Sequence, residues 1–140
     1  MKTFVNYAIL IALLLASTAI LASEEIPQEI YSEDVISTFV DSEEWHFYRI
    51  DIDTPAKLTV KLRKIDNNAD LYVLRSKKPS KDEFLCAPKR EGQSIETCRL
   101  TANEAGIWYI GVHSKQGSHY QLGVKAKDMS LISQASLNFN

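Results

Sequence analysis

Three histidines, two cysteines and an acidic turn are the residues of this chain whose types could do chemistry. His46, His113 and His119 are its candidate bases, since imidazole alone titrates unperturbed at about pH 6.5. His113 and His119 flank the turn 114–118, so a hairpin there would bring them together as a pair of metal ligands. Exposed loop-edge positions are the alternative. Catalysis needs a convergent nucleophile, base and oxyanion donor. The sequence has no Gly-x-Ser-x-Gly, no His-Glu-x-x-His and no phosphate-cradling glycine loop, so an enzyme is not expected. The acidic turn is Asp41-Ser42-Glu43-Glu44, and carboxylate clusters suit hard cations such as calcium.

The cysteines, Cys86 and Cys98, are the only two in the chain, and their chemistry depends on compartment. Met1 and Lys2 give a weakly basic start, 7–15 is an almost unbroken apolar run, and 16–23 is rich in small residues. That order is the pattern of a secretion signal. Residues 1–22 are expected to be the signal peptide, cut after Ala22, with Ala19 and Ser23 as alternative sites. Crossing a bilayer takes roughly 20 apolar residues. The run is shorter, which favours a cleaved signal over a retained anchor and predicts no stable membrane insertion after cleavage. A secreted chain, extracellular or periplasmic, meets an oxidising environment, where Cys86 and Cys98 should form a disulfide. Buried free thiols are the alternative. With no histidine pair near them they do not make a structural zinc site.

The elements that position these residues are strands. At 140 residues there is room for one domain. A formal net charge of −2, with lysines and arginines scattered along the chain, gives no basic footprint for nucleic acid. Residues 23–34 hold Glu24, Glu25, Glu29, Glu33 and Asp34 around Pro27 and read as an acidic arm without an apolar period. Beyond it, apolar and polar residues alternate in short runs, the period-2 signal of half-buried strands. In 57–64, Leu58, Val60 and Leu62 face one way while Thr59, Lys61 and Arg63 face the other. Similar runs occur at 36–40, 45–52, 70–74, 95–100, 107–113 and 120–125, separated by Pro-, Asn- and Gly-bearing turns. The turn Asp66-Asn67-Asn68 is expected to close on itself through its side chains, with Asp70 capping the next strand. Seven to eight short strands at this spacing predict an all-β sandwich or barrel over 35–126, followed by a polar tail, 127–140.

Asp70-Leu71-Tyr72-Val73, Cys86 with Glu96-Thr97-Cys98, Gly106-Ile107-Trp108-Tyr109-Ile110-Gly111-Val112 and Tyr120-Gln121-Leu122 stand in an order that resembles the bacterial pre-peptidase C-terminal domain. The aromatic strand Trp45-His46-Phe47-Tyr48-Arg49-Ile50 fits the start of its core. The resemblance implies a jelly-roll-like sandwich of antiparallel strands, related to the collagen-binding domains of clostridial collagenases. It also implies a calcium site shared between the acidic arm and the acidic turn, here Glu25, Glu29, Asp41 and Glu44. The family's Glu-Pro-Asn-Asp pattern in the arm is replaced by Ile26-Pro27-Gln28. A binding face would be aromatic and polar, which makes Tyr48, Tyr72, Tyr109 and Tyr120 candidates. Tyr120 matches a collagen-contacting position of the collagenase relatives. With no protease ahead of the domain in this chain, it is expected to act alone or in trans. The expected function is a secreted, non-catalytic module that recognises an extracellular polymer or protein, assisted by calcium. The alternative is an accessory domain that assists, stabilises or inhibits a secreted protease.

Overall fold

Alternation in sequence becomes two faces in space. In the computed structural model, which describes residues 24–130, the chain forms eight strands. They are β1 (Gln28–Glu29), β2 (Val35–Val40), β3 (Trp45–Ile52), β4 (Ala56–Arg63), β5 (Asp70–Arg75), β6 (Glu96–Ala102), β7 (Gly106–His113) and β8 (Ser118–Asp128). The signal peptide expected at 1–22 and positions 131–140 of the expected tail lie outside the described residues. The strands make two four-stranded sheets, β1-β3-β7-β5 and β2-β8-β4-β6. From β2 to β8 every connection crosses from one sheet to the other, so no two consecutive strands pair.

The core lies between the sheets. In β4, Ala56, Leu58, Val60 and Leu62 are buried, and Lys57, Lys61 and Arg63 are exposed, as the alternation predicts. Facing them, Tyr48, Ile50 and Ile52 of β3 and Trp108, Ile110 and Val112 of β7 fill the other side. Burying a Leu, Ile or Val contributes roughly 1.5–3 kcal/mol, so this two-sided stripe supplies most of the drive to fold.

Two elements depart from the sequence reading. The acidic arm carries β1, which pairs with β3 in parallel, so the sandwich is not wholly antiparallel. Two residues are too few for a periodic signal. What docks the arm is Ile30, buried to 1% exposure, whose backbone N–H donates to the Arg49 carbonyl at 2.9 Å. The second departure is in β5, where Leu71, Tyr72, Val73 and Leu74 are all buried without alternation. Both faces of β5 are covered: the core lies beneath, and the loop 76–95 lies over the outside. Leu85 N–H donates to the Val73 carbonyl, and Val73 N–H donates to the Cys86 carbonyl, each at 2.8 Å. The expected disulfide, Cys86–Cys98, then ties this loop to β6 in the opposite sheet.

Glu96 completes that tie. It opens β6 at an inward position, in the same parity as Cys98 and Ala102, and it is fully buried. Its carboxylate accepts the Leu71 backbone N–H at 2.6 Å and, closely, the Arg90 backbone N–H. Burial pushes its carboxyl up from the ordinary range, while those two amide donors pull it back down. Glu96→Ala would leave both amides without their acceptor, at about 1–3 kcal/mol for each one buried. The expected loss is about 2–4 kcal/mol in urea unfolding, with the disulfide intact. A loss inside the usual ±0.5 kcal/mol of surface substitutions would show that Glu96 does not anchor the loop.

Candidate functional site

The outer face of β3, β7 and β5 is where the sequence places its chemistry. Register sets Trp45, His113 and Asp70 side by side in one row and Phe47, Gly111 and Tyr72 in the next. Trp45 stacks on Phe47 with ring centroids 5.3 Å apart and packs on Tyr72 at 5.0 Å and His113 at 4.9 Å. Gly111 permits this: a Cβ there would stand 2.9 Å from the Trp45 ring and 3.0 Å from Pro79. Loop 76–95 covers the cluster. Phe84 meets Tyr72 edge-on, and the Lys89 ammonium lies 4.6 Å from the Phe84 ring and 5.7 Å from Tyr72. The ammonium of Lys78 sits 5.2 Å from the Phe47 ring, an attraction between cation and ring face.

Tyr72, expected as a ligand contact, is therefore covered by the chain's own loop, with 3% of its surface exposed. Burial, with Asp70 and Glu96 nearby, pushes its phenol up to about 12. Tyr120 is corrected in the same sense. It points into the core at 2% exposure, and its hydroxyl meets His46 Nδ1 at 2.8 Å and the Tyr48 hydroxyl at 2.5 Å. Burial pushes both phenols up, so Tyr48 and Tyr120 stay neutral and serve as hydrogen-bonding groups. This chain of polar groups reaches the surface at His46 and Tyr48, in a cleft of about 370 Å³ between the arm residues Glu25, Ile26 and Gln28 and the β2 residues Ser37 and Thr38. Ile26 at its rim is 89% exposed. Tyr109, in the same outward row as Arg49, is partly exposed.

The histidines are not a pair. The turn 114–118 crosses between sheets and does not fold back as a hairpin, because β7 and β8 belong to different sheets. His113 is buried and its Nε2 lies 3.6 Å from Glu43, whereas His119 is exposed and its Nδ1 bonds Asp66 at 2.7 Å. Asp66 also accepts the His119 backbone N–H at 2.7 Å, and these bonds hold its carboxyl below the usual range. Asn67 Nδ2 donates to the Gly117 carbonyl at 3.1 Å. The Asx residues of 66–67 thus bond the neighbouring turn, while Asp70 takes a hydrogen bond from the Asn68 side chain.

The four carboxylates expected to hold calcium do not converge. Glu29 pairs with Arg49 at 3.4 Å, well along β3 from the turn that carries Asp41 and Glu44. The carboxylate at that turn that meets other charges is Glu43, near His113 and 3.7 Å from Lys81. Among the described residues no three His, Cys, Asp or Glu side chains are grouped so as to hold a metal ion. As arranged, the set does not fit a six- to eight-oxygen calcium shell.

A two-sheet sandwich with alternating connections, a covered aromatic face and one stapling disulfide is the architecture of a small β-module. Residues 45–114, half of the chain, match the bacterial pre-peptidase C-terminal domain, and the chain belongs to that family. It is 30% identical over 64 residues to alkaline serine exoprotease A of Vibrio alginolyticus; the match takes in 46% of this chain and 12% of the exoprotease. In structure it resembles the pre-peptidase C-terminal domain of a Bacillus anthracis collagenase, with a TM-score of 0.57 and 14% identity over 72% of this chain and 96% of that domain. It also resembles PliG of Aeromonas hydrophila, a periplasmic inhibitor of g-type lysozyme, with a TM-score of 0.56 and 13% identity over 73% of this chain and all of that one. These two likenesses are of fold. No helix among the described residues is long and apolar enough to cross a membrane.

His113 gives the site a pH signature. Burial holds its imidazole below the ordinary value, Lys81 acts in the same sense, and Glu43 and Asp70 oppose them. The folded chain therefore prefers neutral His113, and the unfolded chain takes up the proton first as pH falls. The stability contributed by His113 is complete above about pH 6.5 and is lost as pH drops below it. Asp70 and Glu96, raised by burial, slope the other way at lower pH. The His113 contribution is thus read as the difference between wild type and His113→Gln. Between pH 7 and pH 5 the wild type should lose more thermal stability than the variant; parallel curves would contradict the assignment.

Proposed function

We propose that this protein is a non-catalytic binding module that works outside the cytoplasm and recognises an extracellular polymer or protein. The observation that carries this reading is the family match across β3 to β7, since pre-peptidase C-terminal domains are non-catalytic modules of secreted proteases. The geometry is compatible with it. His46, His113, His119 and Glu29 are engaged with Tyr120, Glu43, Asp66 and Arg49, and open relief beside the arm includes the cleft at His46 and Tyr48 and another of about 330 Å³ beside Lys78 and Tyr109. A secretion signal at 1–22 belongs to the same proposal. A second reading, an accessory domain that assists, stabilises or inhibits a secreted protease, is favoured by the likeness to alkaline serine exoprotease A.

Two experiments bear on this. In pull-downs on insoluble collagen, cellulose, chitin, peptidoglycan and an immobilised serine exoprotease, the chain should be retained by at least one; retention by none would overturn both readings. Calcium assistance requires Glu25, Glu29, Asp41 and Glu44 to draw together around an ion, and any ligand bound only by the folded state must raise stability. Their present arrangement predicts that the thermal midpoint in millimolar calcium equals that in chelator. An upward shift lost in Asp41→Ala would instead establish an ion at the turn.

A further inference from the structure

The outer face of the second sheet, β2-β8-β4-β6, is left unused by the reading above. Its outward positions on β4, β6 and β8 carry Lys57, Lys61, Arg63, Arg99, Lys125 and Lys127. No outward position of the four strands carries Asp or Glu. The chain as a whole has 18 acidic against 16 basic residues, so six cations without an acid mark a segregated face that the net charge conceals. Lys125 pairs with Glu33 at 3.0 Å, from the sheet's margin, and Lys57 donates to the Thr101 hydroxyl at 2.9 Å. The side chains of Lys61, Arg63, Arg99 and Lys127 have no ion-pair or hydrogen-bond partner among the described residues.

Register shows that this is more than a solvated surface. Lys57 and Lys127 are direct cross-strand neighbours. Like charges so placed oppose one another, and the strand pairing gains nothing from them. Two rows away, Lys61 sits between Thr97 and Gly123, and above Gly123 nothing lies within 4 Å of where a Cβ would stand. The result is a shallow trough of about 260 Å³ with Thr59, Lys61, Arg63 and Lys125 on its floor and sides and Glu33, Asp34 and Val35 closing its margin, where Glu33 is paired with Lys125. From Lys57 to Arg63 the cations run over about 20 Å along β4, at roughly 3.4 Å per residue.

We infer that this face binds an acidic polysaccharide, the anionic polymer lying along β4. This rests on the binding-module reading and supplies its ligand class. Charge complementarity points to an anion. The choice of polysaccharide follows from the neutral groups set among the cations. Thr59, Thr97, Thr101 and Gln121 offer hydroxyls and an amide on the same face, matching a chain that bears hydroxyls beside its carboxylates. Single-stranded nucleic acid would call for aromatic stacking platforms. The rings on the outward positions of the sheet are Phe39 and the His119 imidazole, which pack on each other with centroids 4.8 Å apart beyond the Arg63 end of β4, and no ring lies among the cations.

The test uses the full exported chain with alginate as probe, against neutral dextran, duplex DNA and phosphatidylglycerol vesicles. Alginate should bind and dextran should not, and affinity should fall steeply with salt as counterions are displaced. The double variant Lys61→Gln/Arg63→Gln should weaken alginate binding by about tenfold in low salt through lost contacts to the polymer's charges. Lys77→Gln/Lys78→Gln, on the loop over the other sheet, should bind as wild type. Lys127→Gln should weaken binding yet melt no lower than wild type, because it relieves the like-charge pair. Unchanged binding in the Lys61/Arg63 variant, or duplex DNA or vesicles bound as well as alginate, would overturn the assignment. So would no alginate binding at low salt; if the chain were still retained by another polymer or protease in the pull-downs, the binding-module reading would survive without this ligand.

Discussion

Loop 76–95 lies on the outside of the first sheet, and much of the molecule's character follows from how it is held there. Three attachments of different chemistry act at nearly the same place: the backbone exchange between Val73 and the 85–86 segment, the Cys86–Cys98 bond, and the Glu96 carboxylate beneath the Leu71 and Arg90 amides. The covalent link restricts the unfolded chain. The carboxylate acts differently, by satisfying backbone donors that burial would otherwise strand. With the loop in place, Trp45, Phe47 and Tyr72 become a second, minor core, and β5 can be apolar on both faces.

That arrangement redirects where recognition can occur. A face that reads as aromatic and open in sequence is closed by its own chain, and Tyr120, expected as a ligand contact, is turned inward to a hydrogen-bonded triad with Tyr48 and His46. Among the accessible surfaces are a polar cleft beside the arm and the cationic face of the other sheet. The two are chemically unlike: one is relief bordered by hydroxyls, a histidine and an apolar rim, the other a nearly flat lattice of positive charge.

Strands with one dry and one wet face were legible in the sequence, as β4 illustrates: Leu58, Val60 and Leu62 point inward and their neighbours outward. The disulfide was legible from compartment and cysteine number. Elements whose signal is not period 2 were not. β1 is two residues held by a neighbour, and β5 is apolar throughout because a distant loop covers it. Glu96 could have been noticed, since it shares parity with Cys98 and Ala102, and a carboxylate at an inward position must have partners. The separation of His113 from His119 could not, because it depends on whether a turn returns to its own sheet or crosses to the other. The basic face was hidden for a related reason: Lys57 and Lys127 are seventy residues apart in sequence and become neighbours only through the β4–β8 register.

The same topology has a consequence for the order of events in the life of the chain. Among the described residues β8 is the last strand to be made, yet it lies between β2 and β4, and β2 has no other partner in its sheet. Until Asp128 has emerged from a ribosome or a translocation pore, that sheet lacks one of its two inner strands, and no consecutive hairpin offers an earlier nucleus. Non-local pairings of this kind fold slowly, on the scale of milliseconds to seconds. A polypeptide that cannot close before β8 arrives stays unfolded until that strand is delivered, a delay that would suit the export proposed for it.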